Sequence, residues 1–240
     1  AAAAGKALKK STMELGGADA FVVLADADLE KTVKWAVFGR HWNGGQVCVS
    51  SKRMIIVDEV YDRFLALYRE GVAKLVAGDP LDPATTLAPL SSQGAADELK
   101  EKIEFAISHG ARAEQVGAPV PTQGAFVQPT ILTEVGEDNP VYSMELFGPV
   151  SMLFRARDEA DAIRIANDTA FGLGASVWTQ DRARGEAVAR RLAAGACFVN
   201  ALVRSDARLP FGGTKSSGFG RELAEHGIRE FTNIKTVYVD

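Results

Sequence analysis

Short apolar segments that alternate with amphipathic segments are the feature that most restricts the fold of this chain. Apolar runs at residues 21–24 and Arg53–Val57 are each followed by a stretch in which apolar residues recur at helical spacing. Parallel strands need a long crossover connection, and a helix is the usual one. The alternation therefore predicts an α/β fold with a mostly parallel sheet flanked by helices.

The predicted elements follow this pattern to the end of the chain. Strands are predicted at residues 21–24, Arg53–Val57, 150–154, 173–178 and 197–199, with a further strand signal at 126–129. One helix is predicted to begin after the capping cluster at residues 26–28. Four more are predicted at residues 61–76, about 95–108, Glu159–Asn167 and 182–193. Residues 236–239 have strand composition, and we expect them to pair with a strand of a second subunit, because an unpaired edge promotes aggregation.

Composition excludes several classes of function. The chain has 240 residues, a net charge of −4 and no basic run, which argues against a nucleic-acid or anionic-membrane surface. No apolar run approaches the roughly 20 residues of a membrane-spanning helix. Cys48 and Cys197 are far apart and form no Cys-x-x-Cys motif, so we expect no disulfide framework and a cytoplasmic protein.

Residues 43–48, Asn-Gly-Gly-Gln-Val-Cys, place one cysteine in a glycine-rich loop after a helix. A free cysteine is usually a small buried hydrophobe, and Cys197 in its apolar strand keeps that interpretation. The loop glycines favour a nucleophile at Cys48, and we expect oriented backbone N–H groups to lower its pKa. Glu14, before two glycines, is a candidate base, or else a solvated acid before a turn.

Two other uses of a reactive cysteine find no support in the sequence. A cysteine protease needs an imidazole base, and the three histidines of the chain form no recognisable partner motif. Cysteine and histidine also show no zinc-ligand spacing.

Four segments, in order, make the chain resemble the aldehyde dehydrogenase superfamily. They are Glu-Leu-Gly-Gly at residues 14–17, Gly-Gln-Val-Cys at 45–48, Glu-Leu-Phe-Gly-Pro at 145–149, and Asn200 followed by Pro-Phe-Gly-Gly at 210–213 and Lys-Ser-Ser-Gly at 215–218. Residues 205–208 and 217–223 give the chain its greatest likeness to bacterial NAD(P)-dependent succinate-semialdehyde dehydrogenases. Each motif is weak alone, but four in order across nearly the whole chain are specific.

The resemblance implies a role for individual residues. Cys48 would attack the aldehyde to give a thiohemiacetal and then a thioester, and Glu14 would activate the water that hydrolyses it. Glu145 would hold the nicotinamide-ribose hydroxyls of NAD or NADP, and Phe147 would pack on the nicotinamide side. Without the other motifs, Glu145 is equally well explained as a residue that caps the turn before Pro149.

The substrate implied is succinic semialdehyde or a similar small aldehyde. Arg204, Ser205 and Arg208 follow the strand that ends near Asn200, where the family places substrate contacts. A cation there would suit a substrate carboxylate. Trp42, however, occupies a position where some carboxylate-specific relatives carry arginine, and it also suits a more apolar aldehyde.

The resemblance also implies a division of the chain. Residues 1–17 are expected to end an otherwise missing dinucleotide-binding domain, 18–204 to form the catalytic domain, and 205–240 to form a return segment with an oligomerisation strand. The chain is then a C-terminal catalytic half that alone binds dinucleotide poorly and has little activity. Dimers or tetramers are expected. The alternative is a non-catalytic fragment kept for structure or assembly.

Overall fold

A computed structural model describes all residues from 1 to 240 and contains one central seven-stranded sheet. The strands of this sheet are β2 (Ala20–Val23), β3 (Arg53–Val57), β4 (Arg112–Gln115), β5 (Thr130–Thr133), β6 (Val150–Ala156), β8 (Gly174–Trp178) and β9 (Ala196–Val199). Their order is β4-β5-β6-β3-β2-β8-β9, and only the β4–β5 pair is antiparallel. The predicted fold class, a mostly parallel α/β sheet, is confirmed.

The α-helices are α1 (Ala2–Lys6), α2 (Leu29–His41), α3 (Asp58–Val72), α4 (Gln93–Ser108), α5 (Glu159–Asn167), α6 (Arg182–Ala189) and α7 (Ala224–Glu230). Helices α2 and α3 contribute to a cluster of 16 buried residues on one face of the sheet, and α4, α5 and α6 contribute to a cluster of 28 on the other. Helices α1 and α7 bury no residue. Alternating side chains explain the two cores: Val22 and Ile55 join the larger one, Phe21 and Met54 the smaller.

Helix starts follow the predicted capping chemistry. The Asp28 side chain accepts a hydrogen bond from the Lys31 N–H and caps α2, as the cluster at residues 26–28 predicts. Ser92, Asp158 and Asp181 cap α4, α5 and α6 in the same way. These caps fix the residue at which each of the four helices begins.

Several predicted boundaries are wrong. The strand signal at 126–129 precedes the true strand, because ladder bonding starts only at Thr130, whose N–H donates to the Pro149 carbonyl. Helix α3 covers residues 58–72 instead of 61–76, and α6 ends at Ala189 instead of 193. Strand β4 was not predicted, because its sequence, Arg-Ala-Glu-Gln, is polar and lies at the sheet edge.

The predicted strand at residues 236–239 is not present in the single chain. This segment forms no backbone ladder, and Val237, Tyr238 and Val239 are 74%, 83% and 84% exposed. A strand is defined by hydrogen bonds to a neighbour, and the chain offers this segment none. Its pairing across subunits, and with it the dimer or tetramer, stays a prediction.

Two small antiparallel ribbons lie outside the main sheet. Strand β1 (Met13–Glu14) pairs with β11 (Gly218–Phe219), and β7 (Phe171–Gly172) pairs with β10 (Thr214–Lys215). The first ribbon joins the beginning of the chain to its last quarter.

The division of the chain at residues 17 and 204 stays a prediction. None of the helices has the length and apolarity that crossing a bilayer requires.

Candidate active site

The cysteine loop is a tight turn at the end of α2. Asn43, Gly44 and Gly45 all have left-handed backbone angles, with φ of 52°, 65° and 78°. A side chain at Gly45 would collide with the Gly148 carbonyl, so only glycine fits there. The turn brings Cys48 to a half-buried position beside Val49, Val203 and Phe211, in a small apolar cluster.

Arg40 ties this loop to the segment that follows Glu145. Its guanidinium is fully buried and donates to the carbonyls of Gly45 at 3.3 Å, Leu146 at 2.6 Å and Val150 at 2.6 Å, and also to that of Gly148. Five donors in a rigid fork suit such a set of carbonyls. The second and third sequence motifs are therefore held together by one side chain.

Glu14 reaches the site through the β1–β11 ribbon. Its Cα is in register with Gly218, and one of its carboxyl oxygens is buried without a hydrogen-bond partner. Burial and the negative charge of Glu222 raise the pKa of Glu14, while an interaction with the Cys48 thiol lowers it. The net shift is upward, which keeps this carboxyl a stronger proton acceptor than a solvated glutamate.

The structure places the segment of Glu14 beside that of Cys48, since a side chain at Gly17 would lie 2.8 Å from the Cys48 carbonyl. The expected direction of the thiol pKa is wrong. Burial and the charge of Glu14 raise the pKa of Cys48. The Val49 N–H and the Lys52 ammonium lower it, but these effects are smaller in sum. The oriented N–H therefore acts in the expected direction and is outweighed, so the resting group is a thiol that needs a base.

Lys52 is the site residue that the sequence analysis missed. Its Nζ donates to the carbonyls of Val47 at 2.9 Å and Cys48 at 2.7 Å, and lies 3.0 Å from Glu145 Oε1. The side chain is fully buried. A lysine just before the buried strand β3 was the available signal, since a buried lysine is rare without a partner.

Glu145 and Phe147 lie next to this lysine. Glu145 Oε1 also accepts a hydrogen bond of 3.1 Å from the Gly17 N–H, and a side chain at Gly16 would collide with the same carboxylate. The Phe147 ring is 43% exposed, with its centroid 5.6 Å from Lys52 Nζ. Gly16 therefore lets Glu145 approach, and Gly17 leaves room for the Cys48 carbonyl.

The predicted substrate residues lie apart from this network. Arg204, Ser205 and Arg208 are exposed, and no hydrogen bond or ion pair joins them to Cys48 or Glu14. Arg208 is held by Asp206 in a two-bonded pair with distances of 2.9 and 2.6 Å. Only Val203, next to Arg204, packs in the apolar cluster that Cys48 also contacts.

Comparisons with known proteins agree with this geometry. The family described as aldehyde dehydrogenase matches residues 1–237. An NADP(+) succinate-semialdehyde dehydrogenase of Deinococcus radiodurans is 47% identical over 98% of this chain and 49% of its own length. The Streptococcus pyogenes succinic semialdehyde dehydrogenase, solved in complex with NADP+, superposes with a TM-score of 0.95 at 44% identity, over 98% of this chain and 52% of that one.

A more distant structure has the same fold. A salicylaldehyde dehydrogenase from Pseudomonas putida, complexed with salicylaldehyde, is 36% identical with a TM-score of 0.90, over 97% of this chain and 48% of that one. The chain thus spans about half the length of the relatives that it matches. On its sequence motifs, its fold and these matches, the chain belongs to the aldehyde dehydrogenase family.

Proposed function

We propose that this chain carries the catalytic residues of an NADP-dependent dehydrogenase that oxidises succinic semialdehyde, or a similar small aldehyde, to the carboxylic acid. The observation that carries the proposal is that the segments of Cys48 and Glu14 lie against each other: a side chain at Gly17, three residues after Glu14, would collide with the Cys48 carbonyl, and Cys48 and Glu14 are both half-buried. NADP is favoured over NAD by the names of the relatives in Deinococcus and Streptococcus.

The pair suits a two-stage reaction at a carbonyl carbon. The Cys48 sulfur bonds to the aldehyde carbon as its proton passes to Glu14, which gives a thiohemiacetal whose oxygen carries the negative charge. Loss of hydride from that carbon leaves a neutral thioester on Cys48, and Glu14 releases its proton to solvent. Glu14 then takes a proton from water as the water oxygen attacks the thioester carbon, the carbon–sulfur bond breaks to release the acid, and the Cys48 thiolate recovers the proton from Glu14.

The residues near Cys48 fit a nicotinamide ribose. Glu145 Oε1 is occupied by Lys52 and Gly17, whereas Oε2 accepts no hydrogen bond from the chain, and the side chain is 21% exposed. That free oxygen suits ribose hydroxyl groups, and the exposed Phe147 ring suits the flat side of a nicotinamide. When bound, the nicotinamide supplies the acceptor for the hydride.

The alternative, a fragment kept only for structure or assembly, explains less. A purely structural role gives no reason for a buried carboxyl oxygen of Glu14 without a partner, because such a group destabilises the fold. It also gives no reason to place that carboxyl against a thiol. Sites that are costly to stability and aligned for chemistry are typical of catalysis.

For the substrate carboxylate, Arg204 is the better of the two arginine candidates. Both are exposed, but the guanidinium of Arg208 is already paired with Asp206, whereas Arg204 takes part in no ion pair. Removal of Arg204 is therefore expected to raise the KM for succinic semialdehyde about tenfold or more. Removal of Arg208 is expected to change it less, and neither should affect a neutral aldehyde of equal length.

The direct test is oxidation of succinic semialdehyde by the natural-length protein with NADP, with NAD and a neutral aldehyde of equal length as comparisons. We expect formation of NADPH, and rapid quenching with mass spectrometry is expected to find an acyl group on the peptide that contains Cys48. Turnover without that adduct would remove Cys48 from the mechanism. Absence of both turnover and adduct with every aldehyde would contradict the proposed function.

A further inference from the structure

The Lys52 ammonium occupies the centre of the site although it reaches neither reacting atom. It has three N–H donors, and the chain supplies three acceptors: the Val47 carbonyl, the Cys48 carbonyl and Glu145 Oε1. Two of these acceptors are the carbonyls of the peptide bonds on either side of Cys48. The third belongs to the carboxylate proposed to hold the cofactor ribose.

Burial makes this arrangement rigid. The Lys52 side chain is fully inaccessible, so water cannot replace any of its three partners. The charges that face it are Asp19 and Glu145, which favour its charged form, and Arg40, which opposes it. Asp19 is itself fully buried and accepts a hydrogen bond of 3.0 Å from the Gly174 N–H.

We propose that Lys52 is a positioning residue, which sets the backbone of the Cys48 loop and the direction of the Glu145 carboxylate with a single cation. The inference rests on the proposed function, because it assigns Cys48 and Glu145 the roles given above. It goes beyond that function because it makes the nucleophile and the ribose-binding carboxylate dependent on each other.

Substitution of Lys52 by methionine keeps the length of the side chain and removes all three donors. The Cys48 carbonyl then loses its donor, whereas the Val47 carbonyl keeps only the Ser50 N–H. Glu145 Oε1 keeps only the Gly17 N–H. In the natural-length protein we expect Lys52→Met to lower kcat and to raise the KM for NADP, each by about tenfold or more, because small displacements of reacting groups have effects of this size.

A double-mutant cycle separates positioning from general destabilisation. If Lys52 acts on the cofactor through Glu145, the KM for NADP in the Lys52→Met, Glu145→Gln double variant should be close to that of Glu145→Gln alone. If the two effects multiply instead, the link between Lys52 and Glu145 is disproved.

The pH profile of Cys48 alkylation tests the other half of the proposal without any turnover. The charged groups that act on the thiol are Glu14, Asp19 and Lys52, and only Lys52 is a cation. Loss of that cation should raise the pKa of the thiol and move the iodoacetamide profile of Lys52→Met to higher pH. Lys34→Met, which removes an exposed lysine of α2, is the matched control and should leave the profile unchanged.

The outcomes distinguish this inference from the proposed function. If wild-type Cys48 reacts no faster than Cys197, the proposed function fails. If wild-type Cys48 is reactive and folded Lys52→Met gives an unchanged profile, only the inference about Lys52 fails.

Should Lys52→Met not fold, Glu145→Gln provides the test, because its side chain is partly exposed. It removes the ion-pair partner of Lys52, so hydrogen exchange of the peptide covering residues 47–50 should become faster. Unchanged exchange would overturn the proposal.

Discussion

The two cysteines of this chain have similar exposure and different surroundings. Cys197 lies on β9, in register with Ala175 of β8, and burial raises its pKa to about 11. The pKa of Cys48 is raised too, but the Lys52 cation and the Val49 N–H partly offset that shift. Nothing in the surroundings of Cys197 lowers its pKa. A nearby cation and N–H donor, and not exposure, therefore distinguish the proposed nucleophile Cys48 from Cys197.

The largest expected difference between the two thiols is in turnover. In the natural-length protein, Cys48→Ala should reduce aldehyde oxidation by at least about 10⁴-fold, because it removes the atom that bonds to the substrate. Cys197→Ala should keep activity within a few-fold of wild type. Steady-state rates measure both, with NADP binding by fluorescence as the control for folding. Comparable losses in the two variants would erase the distinction between the cysteines.

The second expected effect is on hydrolysis. Glu14→Gln keeps the size of the side chain and removes the base, so turnover should fall by about 10² to 10⁴-fold. The first formation of NADPH should fall less than steady turnover, so that acylated Cys48 accumulates. Rapid-quench mass spectrometry of the Cys48 peptide is the measurement. Loss of turnover without accumulation of this adduct would mean that Glu14 matters most before the thioester, as the acceptor of the Cys48 proton.

The same variant should change thiol reactivity in the opposite direction. The charge of Glu14 raises the pKa of Cys48, so its removal in Glu14→Gln should lower that pKa and increase the thiolate fraction at pH 8. Alkylation of Cys48 by iodoacetamide should become several-fold faster, whereas that of Cys197 should not change. Peptide mass spectrometry over a pH series checks this. Slower alkylation of Cys48 would mean that Glu14 mainly removes its proton.

Much of this site could be predicted from the sequence, because its motifs are short and local. Glu14, Cys48 and Glu145 each lie within three residues of a glycine. At Gly16 and Gly45 a side chain would collide with a neighbouring segment, which explains the glycines there. The parallel sheet could also be predicted, because the alternation of strands and helices is visible in the local pattern of apolar residues. The left-handed turn before Cys48 was implied by its two glycines.

What could not be predicted depends on contacts between distant segments. Lys52 has its role only because the fold brings Glu145 next to its ammonium. Arg40 has its role only because the carbonyls of Gly148 and Val150 lie against α2. The predicted direction of the thiol pKa is also wrong, because that pKa depends on burial and on the charges of Glu14, Asp19 and Lys52 together. Edge strand β4 has no apolar pattern of its own and is defined by its pairing with β5.

The smallest expected difference between the two cysteines is in stability. Substitution of Cys197 should have the larger effect on stability, whereas substitution of Cys48 should have the larger effect on turnover. Cys197 packs against the larger hydrophobic core, so Cys197→Ser places a hydroxyl among apolar neighbours and should reduce the free energy of unfolding by about 1–2 kcal/mol. Cys48 lies at the edge of a small cluster beside a carboxyl that can accept a hydrogen bond from serine. Cys48→Ser should therefore change the free energy of unfolding by less than about 1 kcal/mol. Urea denaturation of the two variants measures both values, and a larger loss for Cys48→Ser would mean that this thiol supports the fold as well as the chemistry.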